Sequence, residues 1–120
     1  MGDVQLDMDI QTDQLIFEAL AKTGVVYSGA SEETAEESII SPEGLFIVTW
    51  DPLDGSSIID SNGAIGSIFG IWPKGNLMDM HGRDQVGALL CVYGSRTNCI
   101  FYNNIKDRVD ELTLMKTEGS

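Results

Sequence analysis

Asp51 and Asp54 stand three residues apart in Trp50-Asp51-Pro52-Leu53-Asp54-Gly55-Ser56-Ser57, just after an apolar run and just before Gly-Ser-Ser. Pro52 cannot donate to a sheet ladder, so it is expected to bend the chain outward and turn Asp51, the Leu53 carbonyl and Asp54 toward one point. Three oxygens on a tight loop suit a hard cation such as Mg2+, which takes carboxylates together with substrate phosphate rather than a closed protein cage. Gly55 has no side chain to keep an anion from the backbone, and the N–H groups of Gly55, Ser56 and Ser57 can form a concave nest for phosphate oxygens. Metal and phosphate could therefore share one short segment. The plainer alternative is an Asp-Pro turn with an Asx cap and a polar loop.

A second acidic group, Glu32-Glu33, follows Ser31. Adjacent glutamates at a strand end or turn point in different directions, so one could ligate a metal while the other polarises water, and a like charge nearby would raise the pKa of whichever group is less well compensated. Taken alone such a pair is ordinary solvated surface, and Glu36-Glu37 reads that way.

The elements that must carry these groups can be read from the apolar pattern. Gly24-Val25-Val26-Tyr27 opens a strand near 24–29, and Leu45–Trp50 a buried strand near 45–50 after the turn Ser41-Pro42-Glu43-Gly44. Asp51 is expected at the end of that second strand, with residues 51–57 as a loop. A helix near 12–22 carries Leu15, Ile16, Ala19 and Leu20, with Asp9, Thr12 and Asp13 as candidate caps. Further on come a strand near 64–72, a turn at Trp72-Pro73-Lys74-Gly75-Asn76 and a helix near 83–93. Val86, Leu89, Leu90 and Tyr93 would form that helix's buried face, and Gly94 its C-terminal end. Strands near 97–103 and 109–115 complete an α+β layered arrangement.

The 120 residues carry a formal net charge of −12, and residues 1–60 hold all of it: thirteen acids against Lys22, whereas the second half balances six acids with six bases. Such a concentration repels an anionic substrate unless cations intervene. No basic stripe exists to release counterions, which argues against a nucleic-acid partner. With 42% hydrophobic and 22% charged residues the chain is globular, and its length supports one domain. No run approaches the ~20 apolar residues of a membrane span, so no membrane partner is expected. Cys91, placed on the expected helix, and Cys99, in a β-like run, read as buried thiols; no disulfide framework or C-x-x-C pair is present. His81, the sole histidine, is expected in a surface turn.

The string Asp51-Pro52-Leu53-Asp54-Gly55-Ser56-Ser57 preceded by Ser31-Glu32-Glu33 resembles the fructose-1,6-bisphosphatase and sedoheptulose-1,7-bisphosphatase group of Mg2+-dependent, Li+-sensitive sugar phosphatases. The resemblance extends in order through Gly2-Asp3, Met8-Asp9-Ile10, Gly66–Pro73, Gly82-Arg83-Asp84-Gln85-Val86 and Tyr93-Gly94-Ser95. Ile58, Trp72-Pro73 and the block at 82–86 are more similar to the sedoheptulose branch. The inositol-type monophosphatases, which generally carry Ile-Asp-Gly-Thr in place of Leu-Asp-Gly-Ser, fit less well.

The resemblance implies that Asp3, Glu32, Asp51, the Leu53 carbonyl and Asp54 are metal ligands. It implies that Asp9 and Glu33 position or deprotonate the attacking water, and that Gly55, Ser56 and Ser57 hold the scissile phosphate with Asp54 bridging to the metal. The implied cofactor is Mg2+, two or three ions with Mn2+ able to substitute. The implied reaction is direct hydrolysis of a sugar C1 phosphate between metal ions roughly 3.5–4 Å apart. Taken on its own, Asp3 near the N-terminus reads as exposed and mobile. Family members form an α/β/α/β/α sandwich of roughly 300 residues, a size at which chains split into two domains, so residues 1–120 are expected to be a partial, N-terminal metal- and phosphate-binding domain. The complete enzyme is expected to be a homo-oligomer, dimer or tetramer, in cytoplasm or plastid, acting on a sugar bisphosphate. Fructose 1,6-bisphosphate is the alternative substrate, and a non-catalytic metal-binding remnant the alternative of another class.

Overall fold

The computed structural model describes residues 2–34, 36–54, 65–94 and 96–115, and side chains at 10–34, 36–52, 66–94 and 96–115. Helix α1 (Gly2–Thr23) leads into β1 (Val26–Ser31), β2 (Ser38–Ile39), β3 (Phe46–Asp54), β4 (Ile65–Pro73), β5 (Gly87–Tyr93), β6 (Thr97–Asn103) and β7 (Arg108–Thr113). The strands form one sheet in the order β2-β1-β3-β4-β5-β6-β7. Among the described residues only the β1–β3 pairing is parallel; β2 turns back along the outer edge of β1, which frees the chain to return on its other side. One long helix on a mixed sheet is the α+β class expected.

Helix α1 begins about ten residues earlier than the apolar pattern predicts. Asp9, Thr12 and Asp13 therefore lie inside it rather than at its start. Its buried face is also rotated: Leu15 is exposed, while Ile16, Phe17 and Leu20 pack on Val26, Val48 and Trp50. Asp13 shares that face at helical spacing, and its buried carboxylate accepts a 2.7 Å hydrogen bond from the Trp50 indole N–H. Phe17 meets the same indole edge-on, with ring centroids 4.8 Å apart. Gly24, at φ 73°, ends the helix in the left-handed region that favours glycine.

The turn before β3 is closed by Gly44 N–H donating to the Ser41 carbonyl at 2.8 Å. A Cβ on Gly44 would lie 2.2 Å from the Tyr27 nitrogen and 2.4 Å from the Val26 carbonyl carbon. Glycine at this point lets the turn sit against the start of β1.

Two expectations about the middle of the chain need correction. The segment expected as a helix near 83–93 is instead a short 3-10 turn, Gly82–Asp84, followed by strand β5. Val86, Leu89, Leu90 and Tyr93 have helical spacing, but Leu89–Tyr93 is also an unbroken apolar run bounded by Gly87 and Gly94. That pattern suits an interior strand whose backbone is bonded on both sides, here by β4 and β6. Cys91 is accordingly on a strand, and Gly94 bonds to Arg96 at the β5–β6 turn rather than ending a helix. The strand bearing Asp51 does not stop there either. Asp51 pairs with Ile68 and Asp54 with Gly66, so β3 carries one residue more than β4 in this interval. Pro52 sits in that bulge, where its missing N–H costs no ladder bond.

Candidate metal centre

Glu32 and Glu33 lie in the turn that leaves β1, and Asp51 lies one residue beyond Trp50 on β3. Ser31 pairs with Trp50 in the parallel register, which places the two acidic segments side by side at the same end of adjacent strands. The turn is fixed by backbone bonds: Glu32 N–H to the Trp50 carbonyl at 3.0 Å and Thr34 N–H to the Ser31 carbonyl at 3.1 Å. The Ser31 hydroxyl accepts from the Glu33 N–H at 3.1 Å. A continuous set of contacts therefore runs from Asp13 through the Trp50 side chain and backbone to the first glutamate.

Carboxylate oxygens of Glu32, Glu33 and Asp51 all lie within 4.8 Å of one another. Glu32 and Glu33 are exposed and Asp51 half-buried. Three like charges at this spacing repel, and the repulsion is relieved by a hard, oxygen-seeking divalent cation. The donor chemistry thus fits Mg2+. Beside the carboxylates lies an open cleft of ≈ 680 Å³ that includes Thr49, Gly70, Leu89 and Ile100 in its lining.

Below Asp51 the bulge is held by Ser67. This side chain is 1% exposed; its hydroxyl donates to the Pro52 carbonyl and lies 2.8 Å from the Tyr93 hydroxyl oxygen. Pro52 is itself fully buried. The outward bend expected of Pro52 is replaced by a bulge anchored into the sheet.

Of the predicted site residues, Glu32, Glu33 and Asp51 are brought together. Asp3 and Asp9 lie on α1, Leu53 within the β3 bulge and Asp54 where pairing with β4 resumes, but their side chains are outside the described residues, as are Gly55, Ser56 and Ser57 altogether. Glu37, read as solvated surface, is exposed but its carboxylate accepts a hydrogen bond from the buried Ser28 hydroxyl. Of the supporting residues, Asp13 was read only as a helix cap, and Ser67 was not singled out by sequence reasoning. Asp13 carries a legible signal, since it shares the apolar face of α1 with Ile16, Phe17 and Leu20; Ser67 carries none. His81 lies in an exposed turn, as expected.

The sequence and the fold of this chain match known proteins. The chain belongs to the family described as Fructose-1-6-bisphosphatase, N-terminal domain, which it matches over residues 1–120. It is similar to the chloroplastic sedoheptulose-1,7-bisphosphatase of Spinacia oleracea, at 46% identity over 101 residues covering 82% of this chain and 26% of that protein. It is also similar to the class 1 fructose-1,6-bisphosphatase of Pelobacter propionicus, at 37% identity over 125 residues covering 98% of this chain and 38% of that protein. The crystal structure of Leishmania major fructose-1,6-bisphosphatase in holo form superposes with a TM-score of 0.82 at 34% identity, over 89% of this chain and 36% of that one. The chain thus spans 26% to 38% of the length of these two sequence relatives. Among the described residues no helix is long and apolar enough to cross a membrane.

Proposed function

We propose that residues 1–120 form the metal- and phosphate-binding part of a sugar bisphosphatase that hydrolyses the C1 phosphate of sedoheptulose 1,7-bisphosphate, giving sedoheptulose 7-phosphate and phosphate. The observation that carries this reading is the meeting of Glu32, Glu33 and Asp51 within 4.8 Å, in a chain of this family. Support for the seven-carbon substrate comes from the Spinacia oleracea relative and from Ile58, Trp72-Pro73 and residues 82–86.

Glu32 and Asp51 would hold Mg2+, with Asp3, the Leu53 carbonyl and Asp54 completing the ligand set. Bound there, the ion supplies neutralising charge to the transferring phosphoryl group and a more acidic water. Glu33, adjacent to Glu32, and Asp9 are assigned to orienting that water and accepting its proton. Gly55, Ser56 and Ser57 are assigned to the phosphate through their backbone N–H groups, with Asp54 between phosphate and metal. The whole protein is proposed to be a homo-oligomer of cytoplasm or plastid.

A second reading, fructose 1,6-bisphosphate as substrate, is favoured by the similarity to the Pelobacter propionicus protein. The test is phosphate release from both bisphosphates by the complete protein that carries these residues, with Mg2+ and with chelator. Chelator-sensitive release with the higher kcat/KM on the seven-carbon substrate supports the proposal. Preference for the six-carbon sugar moves the assignment to the second reading. Absence of release where the Spinacia oleracea protein is active, from a protein folded as judged by circular dichroism, identifies a non-catalytic metal-binding remnant.

A further inference from the structure

Cys91 on β5 and Cys99 on β6 are direct cross-strand partners, and their sulfurs lie 2.7 Å apart with both thiols free. The bonds flanking this ladder define which kind of pair they form. Asn104 N–H donates to the Val86 carbonyl and Gly94 N–H to the Arg96 carbonyl, each at 3.2 Å, in the same register as the strands between them. Hydrogen-bonded pairs alternate along an antiparallel ladder, so the even-numbered positions of β5 are hydrogen-bonded and Cys91 with Cys99 is a non-hydrogen-bonded pair. Side chains approach each other most closely at such pairs, within the separation a disulfide spans.

We propose that Cys91 and Cys99 form a reversible redox-modification site, a dithiol that small disulfides of the glutathione class convert to a cross-strand disulfide. Cys99 is partly exposed whereas Cys91 is buried, so the small disulfide is met first at Cys99. The Cys99 thiolate attacks one sulfur of the small disulfide, forming a mixed disulfide and releasing one glutathione thiolate. Cys91 then gives up its proton and attacks the Cys99 sulfur, which forms the internal bond and releases the second glutathione. Two electrons and two protons leave the cysteine pair, and one small disulfide becomes two thiols.

Burial, followed by the contact with Cys99, pushes the Cys91 thiol up to about 12, so the second step draws on a small thiolate fraction. Its rate rises about tenfold per pH unit in the neutral range. The pair also adjoins the candidate metal centre's support, because Cys91 is the β4–β5 partner of Ser67, whose hydroxyl holds the Pro52 carbonyl. The chemistry nevertheless stands on the pair's own geometry and is independent of the proposed activity.

The test equilibrates the chain in buffers of reduced and oxidised glutathione, native and in urea, then quenches with acid and measures intact mass. The expected native product is a monomer lighter by two hydrogen atoms, with neither cysteine open to alkylation after denaturation. Its dithiol-to-disulfide equilibrium constant should exceed that of the urea-unfolded chain by at least about tenfold, since the fold pre-aligns the sulfurs. Cys91→Ser should hold only a glutathione adduct at Cys99. An equal or smaller constant in the native chain, two alkylatable thiols, or a stable glutathione adduct with Cys91 free would each overturn the proposal.

Discussion

At the scale of single residues, Asp51 and Ser67 have separable duties. Asp51 places a half-buried carboxylate among two exposed ones, so Asp51→Asn removes charge with little change of shape and is expected to weaken divalent-cation binding while leaving the fold intact. Ser67 satisfies the carbonyl of a buried proline. Ser67→Ala leaves that acceptor without its hydroxyl, and urea unfolding should show a loss of about 1–3 kcal/mol. Cys91 gives a prediction in pH. Its proton is held in the fold up to about 12, against 9.0 for the ordinary thiol. The unfolded chain then releases this proton first as pH rises, so the contribution is complete below pH 9 and is lost between about 9 and 12. Thermal melts across that window should fall less steeply in Cys91→Ala than in the wild-type chain.

At the scale of elements, the meeting of the two acidic segments depends on the parallel register of β1 and β3. Gly44 lets the turn before β3 pack against the start of β1. Gly44→Ala drives a Cβ onto the backbone of Val26 and Tyr27, with an expected cost of about 1–3 kcal/mol and weaker metal binding as the carboxylates separate. The β1 and β3 segments were legible because each opens on an apolar, β-branched and aromatic run, Val25–Tyr27 and Leu45–Trp50. Helix α1 was legible only over its second half, since Gly2–Gln11 has mixed polarity and no cap to mark a start. Strand β5 was misread because Val86, Leu89, Leu90 and Tyr93 have helical spacing while Leu89–Tyr93 is also an unbroken apolar run, and only pairing with β4 and β6 decides between helix and interior strand. The parallel β1–β3 register that joins Glu32 to Asp51 is a long-range property with no local signal in the sequence. The buried anchor at Ser67 exists only because β3 carries a bulge opposite it.

At the scale of the molecule, the net charge of −12 lies in the half that carries the acidic motifs, and relief of that repulsion links metal to stability. Mg2+ is expected to raise the midpoint of thermal unfolding more than NaCl of equal ionic strength, because specific binding to the native state adds to screening. In a catalytically complete protein, Li+ is expected to inhibit phosphate release by competing at a Mg2+ position. The central claim is that Glu32, Glu33 and Asp51 act together as a divalent-cation site. The direct measurement is Mn2+ binding by electron paramagnetic resonance to the wild-type chain, Asp51→Asn and, as a control in an exposed turn, Glu43→Gln. Saturable binding displaced by Mg2+, weakened at least about tenfold in Asp51→Asn and unchanged in Glu43→Gln, is the predicted result. Absence of saturable binding, or equal affinity in the wild-type chain and Asp51→Asn, would contradict the claim.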